Sequence, residues 1–469
     1  MADLTQPIPL PSAASEARTM SAPASASVGR PESMTTGPGR RASELALVLL
    51  FLLVIAAVPV GQTCIELARH ERVQFTDVFR YRPTARNLRQ YEATLKEKSW
   101  FQQKLRPEVQ RLLFATLRDT GAKGVLGRHR WLFYRPDLRY VVEPNRLETD
   151  DSVSKWAQPA SRSTQRDSVV HAIARFRDQL KERGIALVVV PVPGKPSVYP
   201  DQLTSRKAAR PEEYRSPTIE LLKSLGQQGI ATVDLFAVFR HARRGQATNG
   251  PLYLARDTHW TPLGARLAAE AVAGRLRALG TAPAASKEFR TQTVPVRRWG
   301  DVLEMMQIPG LRQAFAVEEV TCEQVLDPVR GLLLPASSER PGAYRAAGQQ
   351  ASVLVLGDSF CRIYQYAEPA SLGRFPAVSG ASATSKEDQG SKRLLPGSAG
   401  FVSHLALALK APVDAIYSDG GASTDVRRKL STNPEMLEGK KVVIWEFVER
   451  DVALGGQGWE EVPLPARLD

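Results

Sequence analysis

Cysteine is scarce in this chain: Cys64, Cys322 and Cys361 are the only three in 469 residues. No pair has CxxC spacing, which excludes zinc ribbons and thioredoxin-type redox sites, and an odd, low count excludes a disulfide scaffold. Cys322 and Cys361 could still pair. Nucleotide and metal-hydrolase signatures are also missing: there is no HExxH and no GxGxxG after a strand. A Gly-Lys does occur in VPVPGKPS, but a phosphate loop needs glycine where Val189 stands and Ser or Thr where Pro196 follows Lys195. No metal and no cofactor is therefore expected. The net charge is +14, which would suit a polyanionic partner. The excess is arginine scattered along the chain, without basic runs interleaved with aromatics, so the expectation is a solvated surface and no nucleic-acid partner.

One long apolar run is present near the N-terminus. LALVLLFLLVIAAVPVGQTCI, Leu45–Ile65, carries no charge over 21 residues. As a helix it would span about 30 Å, the thickness of a bilayer's hydrocarbon core. The Ser/Ala/Pro-rich residues 1–42 before it have no apolar periodicity and are expected to form a disordered cytoplasmic tail. That leader is long for a cleaved signal peptide and no A-x-A site follows, so 43–65 is expected to be an uncleaved transmembrane signal anchor. Arginines flank both ends (Arg40 and Arg41; Arg69, Arg72, Arg80 and Arg82), and charge alone does not orient the helix. A single anchor ahead of a large domain usually exports that domain, so the expected location is the inner membrane, single-pass, with the rest of the chain outside the cytoplasm. Residues 66–124 are polar and helix-prone, expected as a helical juxtamembrane segment broken near Pro107.

From about residue 125 the pattern becomes α/β. VLGRHRWLFYR predicts a strand pair. Apolar Val169, Val170, Ile173, Phe176 and Leu180 recur at helical spacing over Gln165–Arg183. IALVVVPV, ATVDLF, ASVLVLG, Val413–Tyr417 and Lys441–Phe447 read as strands. Helices are expected over Pro217–Gln228, Thr261–Leu279, Val402–Leu409 and Thr424–Leu430. Continuous apolar strands alternating with helices imply a parallel sheet covered on both faces, with ligands at the strands' C-terminal ends. The Ser/Gly/Lys-rich stretch 380–396 reads as a mobile loop.

Two motifs carry chemistry. Gly357-Asp358-Ser359-Phe360 follows the strand SVLVL directly, which puts Ser359 at the ligand edge, where backbone N–H groups can face an oxyanion. Asp257-Thr-His259-Trp-Thr261-Pro262 ends in a helix start, with Thr261 as cap and Pro262 in the first turn. His259 then stands in the loop before a helix, with Asp257 close enough to hold one imidazole nitrogen and leave the other as a general base. A serine hydroxyl needs such a base, and the base needs an orienting group. Among the six histidines, only His259 has a carboxylate two residues away in a loop. Asp358, next to the serine, is assigned to turn structure.

Together these motifs, with GRHRWLFYR, VVVPVPGKPSVYPD, RWGDVLEM and KKVVIWEFVERD, resemble the SGNH-hydrolase-like domain of the alginate O-acetyltransferases of the AlgJ/AlgX type. The Asp/His block precedes the serine block, a permuted order relative to ordinary SGNH hydrolases. His129-Arg130 stand where the family has Asp-Gly, and the chain ends soon after the sheet, which places it nearer the anchored AlgJ branch. The resemblance implies a permuted SGNH-hydrolase-like α/β domain over 125–469, with Ser359 as nucleophile, His259 as base and Asp257 as orienter. It also implies acetyl transfer to hydroxyls of an exported, alginate-like or other exopolysaccharide in the periplasm, beside a multipass MBOAT-type membrane acyltransferase as acetyl donor. Gly420 and Gly421, in the loop after Tyr417, become oxyanion candidates, and Lys195, Trp299, Arg362 and Tyr364 candidate sugar contacts. A carbohydrate acetylesterase, or a non-catalytic scaffold of a secretion complex, is the alternative.

Overall fold

A computed structural model describes residues 38–80, 82–142, 162–206, 215–244, 250–327, 331–332, 343–344, 351–365, 397–454 and 458–465. The expected tail up to residue 37 and the expected loop at 380–396 lie outside them. The chain falls into two compact units, 1–101 and 102–469.

The first unit holds α1 (Pro38–Ala68) and α2 (Ala85–Lys98). Within α1, the 25 residues Glu44–Ala68 are long and apolar enough to cross a membrane once, and their leucines, valines and isoleucines from Leu45 to Ile55 are exposed. The helix starts at Pro38, ahead of the expected boundary at 43. Thr84 caps α2, accepting a hydrogen bond from Asn87 N at 3.2 Å.

The second unit begins with α3 (Arg106–Leu117), which takes Pro107 in its first turn. The antiparallel pair β1 (Gly124–Leu126) and β2 (Leu132–Tyr134) follows, then α4 (Arg135–Val142). Next come α5 (Arg162–Lys181), β3 (Ala186–Val192), α6 (Lys195–Val198), α7 (Pro200–Leu203), α8 (Thr218–Gln227), β4 (Ala231–Thr232), α9 (Leu235–Arg244) and α10 (Pro262–Ala278). An antiparallel ribbon, β5 (Arg290–Arg298), is separated by α11 (Asp301–Met305) and α12 (Leu311–Ala314) from its partner β6 (Glu318–Asp327), which pairs with β7 (Gly331–Leu332). The chain closes with β8 (Ala343–Tyr344), β9 (Val353–Gly357), α13 (Ser359–Arg362), α14 (Phe401–Leu409), β10 (Asp414–Tyr417), α15 (Asp425–Ser431), β11 (Val442–Val448) and α16 (Asp451–Leu454).

The main sheet has the order β4-β3-β11-β9-β10-β8 and is parallel except for β8 at its edge. Alternation along each strand sorts its side chains into two cores. Val188, Val190, Val353, Val355 and Ile444 face α9, α10 and α14, where Phe239, Ala268, Val272 and Leu405 pack. Leu187, Val189, Leu354, Leu356 and Trp445 face α5, α8 and α15, with Phe176, Leu225 and Leu430. This is the expected α/β architecture of a parallel sheet between two helical layers.

Two regions differ from the expectation. ATVDLF is a strand only through Thr232. Leu235, Phe236 and Phe239 are buried at helical spacing in α9, and Asp234 accepts from Ala237 N at 3.0 Å, which starts that helix. The β5–β6 ribbon appears where no element was assigned, because most of β5 is exposed and backbone pairing, with only Val296 buried, holds it. Cys322 and Cys361 are both buried free thiols and do not pair.

Candidate active site

The turn that carries Ser359 is built at the end of β9. Asp358 caps α13, its carboxylate accepting from Phe360 N at 2.7 Å and Val448 N at 3.2 Å. That side chain is spent on the backbone, in the turn role expected of it. Ser359 is then the first residue of α13, half-buried at the C-terminal edge of the sheet. Gly357 is required by close approach: a Cβ there would lie 2.5 Å from Cys361 Sγ and 2.7 Å from Glu446 Oε2. Glu446, fully buried on β11, accepts from Asp358 N at 3.0 Å.

The opposing loop carries the imidazole. Thr261 caps α10 through Gly264 N at 3.3 Å, with Pro262 in the first turn. His259 Nδ1 donates to Asp257 Oδ1 at 2.6 Å, and Ser359 Oγ donates to His259 Nε2 at 2.8 Å. The hydroxyl, imidazole and carboxylate thus form one continuous hydrogen-bonded line. Trp260 Nε1 donates to Phe360 O at 3.1 Å, fastening the two segments beside that line. Asp257 is fully buried, whereas His259 and Ser359 reach the surface.

A further set of residues, not singled out from the sequence, surrounds Asp257. Arg298 Nη2 and the Asp301 N–H donate to Asp257 Oδ2 at 3.1 and 3.2 Å. Asp301 in turn accepts from Thr258 N and Thr258 Oγ1, each at 2.6 Å, and lies 3.4 Å from His259 Nδ1. Glu318 accepts from the N–H groups of Ala255 and Arg256 at 2.7 and 2.8 Å. Gly300, at φ +90°, permits this approach, since a Cβ there would sit 2.3 Å from Arg256 O. The signal was present: RWGD places a cation and an acid around a glycine turn, but nothing in its spacing ties it to a loop some forty residues earlier.

Electrostatics separates the two carboxylates. Burial works to raise Asp257, but the charges of Arg298 and His259 overcome it and hold the group well below the usual carboxylate range. Burial, then the charge of Asp257, pushes Asp301 up to about 6. Burial works to lower His259, yet the charge and hydrogen bond of Asp257, with Asp301, leave it raised. The ligand atoms of Asp257, His259 and Asp301 lie within 4.8 Å of one another. Their oxygens, however, are taken by N–H and O–H donors, and Arg298 already counters one charge, so the donor set suits a hydrogen-bonded relay better than a cation.

The other sequence candidates divide. Lys195 is fully buried; its Nζ donates to the carbonyls of Leu254 (3.0 Å), Ala255 (3.1 Å) and Asp257 (2.6 Å). It braces the loop and cannot touch a sugar. Tyr364 is also fully buried, donating to Trp260 O at 3.2 Å, and is likewise removed as a sugar contact. Gly421 N already donates to Ser418 O at 2.9 Å, so this N–H is not offered to an oxyanion. Gly420, at φ +64°, lies in the turn after β10, three residues beyond Tyr417, which pairs with Gly357. Arg362 is partly exposed and paired with Asp419 at 2.8 Å, and Trp299 is half-buried against the small core around Val302 and Met306.

Residues 125–375 match the family model described as SGNH hydrolase-like domain, acetyltransferase AlgX. A probable alginate O-acetylase AlgJ of Pseudomonas syringae pv. tomato is 25% identical over 336 residues, 70% of this chain and 68% of that protein. A probable alginate O-acetylase AlgJ of Pseudomonas aeruginosa is 27% identical over 198 residues, 42% of this chain and 44% of that protein. The solved O-acetyltransferase domain of Pseudomonas putida AlgJ is 20% identical, with a TM-score of 0.48, covering 71% of this chain and 93% of that one. With more than half its length matched by the family model, the chain belongs to the SGNH hydrolase-like domain family of the acetyltransferase AlgX.

Proposed function

We propose that this chain is a membrane-anchored O-acetyltransferase that places acetyl groups on hydroxyls of an exported polysaccharide through Ser359, His259 and Asp257. The observation that carries the reading is the line from Asp257 through His259 to Ser359, at 2.6 and 2.8 Å, in a chain of this family.

Ser359 Oγ attacks the acyl carbonyl as its proton passes to His259 Nε2, and Asp257, kept ionised by Arg298, faces the imidazolium that forms. The Ser359 N–H at the start of α13, with Gly420 as the remaining glycine candidate, serves the oxyanion. The protonated His259 releases the leaving group. A sugar hydroxyl then gives its proton to His259 and takes the acetyl group, restoring Ser359. Arg362 and Trp299 stand as the sugar contacts still open. The span in α1 anchors the chain once, and the catalytic unit works in the periplasm, with acetyl groups supplied by a multipass MBOAT-type acyltransferase.

Ser359→Ala in the full-length chain is expected to abolish acetylation of the polymer, read as acetyl content by NMR, while leaving circular dichroism and melting unchanged. Retained acetylation would sink the assignment. Incubating the wild-type chain with an acetyl donor, with and without oligosaccharide, separates transfer from hydrolysis: free acetate alone, unaffected by oligosaccharide, identifies an esterase.

A further inference from the structure

Thr258 lies between the base and a second carboxylate. Its hydroxyl donates to Asp301 Oδ2 at 2.6 Å and stands 3.1 Å from His259 Nδ1. With its only proton held by Asp301, this oxygen can face Nδ1 only as an acceptor. Nδ1 must then carry hydrogen, which leaves Nε2 bare to receive the Ser359 proton. Asp257 alone would also favour this tautomer, but half of that carboxylate is turned to Arg298, at 3.1 Å, whereas among the described residues Asp301 pairs with no arginine or lysine at salt-bridge distance.

We propose that Asp301 is a positioning residue for the serine reaction, a second carboxylate that locks the His259 tautomer through Thr258 and adds its negative charge to the imidazolium. The proposal deepens the Ser359–His259–Asp257 reading and rests on it. As the Ser359 O–H bond breaks, its proton passes to Nε2 and its oxygen pair forms the new bond to the acyl carbon. The positive charge on the ring then faces Asp257 Oδ1 at 2.6 Å and Asp301 Oδ2 at 3.4 Å. Of the other ionisable groups, the Lys195 ammonium from α6 and the Tyr134 hydroxyl from β2 feel the charge of Asp301, while Arg298, at the end of β5, pairs with the neighbouring Asp257. Burial and the neighbouring Asp257 raise Asp301 to about 6, so its charge is present at neutral pH and withdrawn in mild acid.

The test uses the full-length chain in detergent and a fluorophosphonate, whose phosphorus takes the Ser359 oxygen and expels fluoride while His259 receives the proton. Labelling rates are followed from pH 4.5 to 8.5. In Asp301→Asn the acid limb should move to lower pH by about one unit, because a negative charge within 4 Å of the imidazole is gone, and the plateau should fall about ten-fold. Asp301→Glu should return the limb toward its wild-type position. Thr258→Val should slow labelling and move the limb less than Asp301→Asn does, since the charge of Asp301 is weakened in mild acid but not removed. A limb that coincides in wild type and Asp301→Asn overturns the proposal. If wild type itself fails to label, the serine triad falls first, a result separable from the former. Should Asp301→Asn not fold, histidine 15N spectra of the wild-type chain decide: His259 must show hydrogen on Nδ1 and two inflections on titration, as coupled groups do, and a single inflection overturns the proposal.

Discussion

The two arms of the site are held by opposite electrostatic strategies. On the base arm the buried acid is kept charged: Asp257 is held well below its ordinary range by Arg298 and His259. On the Ser359 arm the buried acid is pushed the other way: burial, then the neighbouring Asp358, drives Glu446 well above its ordinary range. In the proposed reaction the His259 arm needs a full negative charge opposite a forming imidazolium, and charged side chains brace its loop: Arg298 pairs with Asp257, Lys195 donates to backbone carbonyls and Glu318 accepts from backbone N–H groups. The Ser359 arm needs, for that reaction, a turn of fixed shape, and it is built from close contacts around Gly357 and from hydrogen bonds to Asp358. A change of charge should therefore injure the first arm most, and a change of volume the second.

The sharpest break is Asp257→Asn. It preserves size but removes the charge and leaves Arg298 without its buried partner. Catalysis should fall by about three to four orders of magnitude, as expected when the orienting carboxylate of such a triad is neutralised. The melting transition should also drop, because removing one member of a buried pair costs about 3–5 kcal/mol. Turnover of an activated acetyl ester and thermal melting check the two effects. Unchanged turnover would show that the ionic arm is scaffolding only.

Gly357→Ala makes the complementary test. The added methyl meets Cys361 Sγ at 2.5 Å and Glu446 Oε2 at 2.7 Å, an overpacking that costs about 1–3 kcal/mol. The turn must shift, and Ser359 with it, so turnover should fall at least ten-fold. The acid limb of the pH–rate profile should stay where it is, since the charges around His259 are untouched. A displaced limb would mean that the two arms are electrostatically one.

These arms were unequally legible in the sequence. The strand before Gly357, the cap at Thr261 and the short Asp257–His259 spacing are local, and local patterns gave the strand edge, the helix start and the hydrogen-bonded line. The braces are not local. Lys195 sits in a block that reads as a failed phosphate loop, and only the fold turns its ammonium onto carbonyls some sixty residues later. Arg298 and Asp301 flank a half-exposed ribbon whose apolar pattern is too weak to reveal a strand, so nothing in the chain announces that they fold back on His259. Tyr364 looked like an accessible aromatic next to the serine block, yet its positive φ of 63° turns it inward onto Trp260 O. The same limit applies to α9: Asp234 was read inside a strand, although an acid followed by helical spacing is a helix start.

The smallest effect asks whether the raising of buried acids extends along β11. Glu449, just past that strand, accepts from Gly194 N at 2.7 Å, from Thr218 Oγ1 at 3.1 Å and from the hydroxyls of Ser197 and Ser216. Burial pushes it up to about 7 despite those donors. Between the unfolded value near 4.5 and about 7 the native state binds the extra proton, so stability falls as pH rises through this window. Asp301 and Asp451, both raised, act in the same direction. His404, lowered to about 4 by burial, acts oppositely, but only up to about 6.5. Asp257, being depressed, loses its contribution only in acid below its ordinary range. The net expectation is a melting temperature that drops by a few degrees between pH 6 and pH 8, with Glu449 contributing about 1.4 kcal/mol over that interval. Glu449→Gln, neutral at every pH, should flatten that slope. The comparison with Asp257 then becomes a matter of sign: the Asp257 arm weakens in acid, the raised acids weaken toward alkaline pH, and a slope in Glu449→Gln as steep as that of the wild type would take Glu449 out of the set and leave the effect to Asp301 and Asp451.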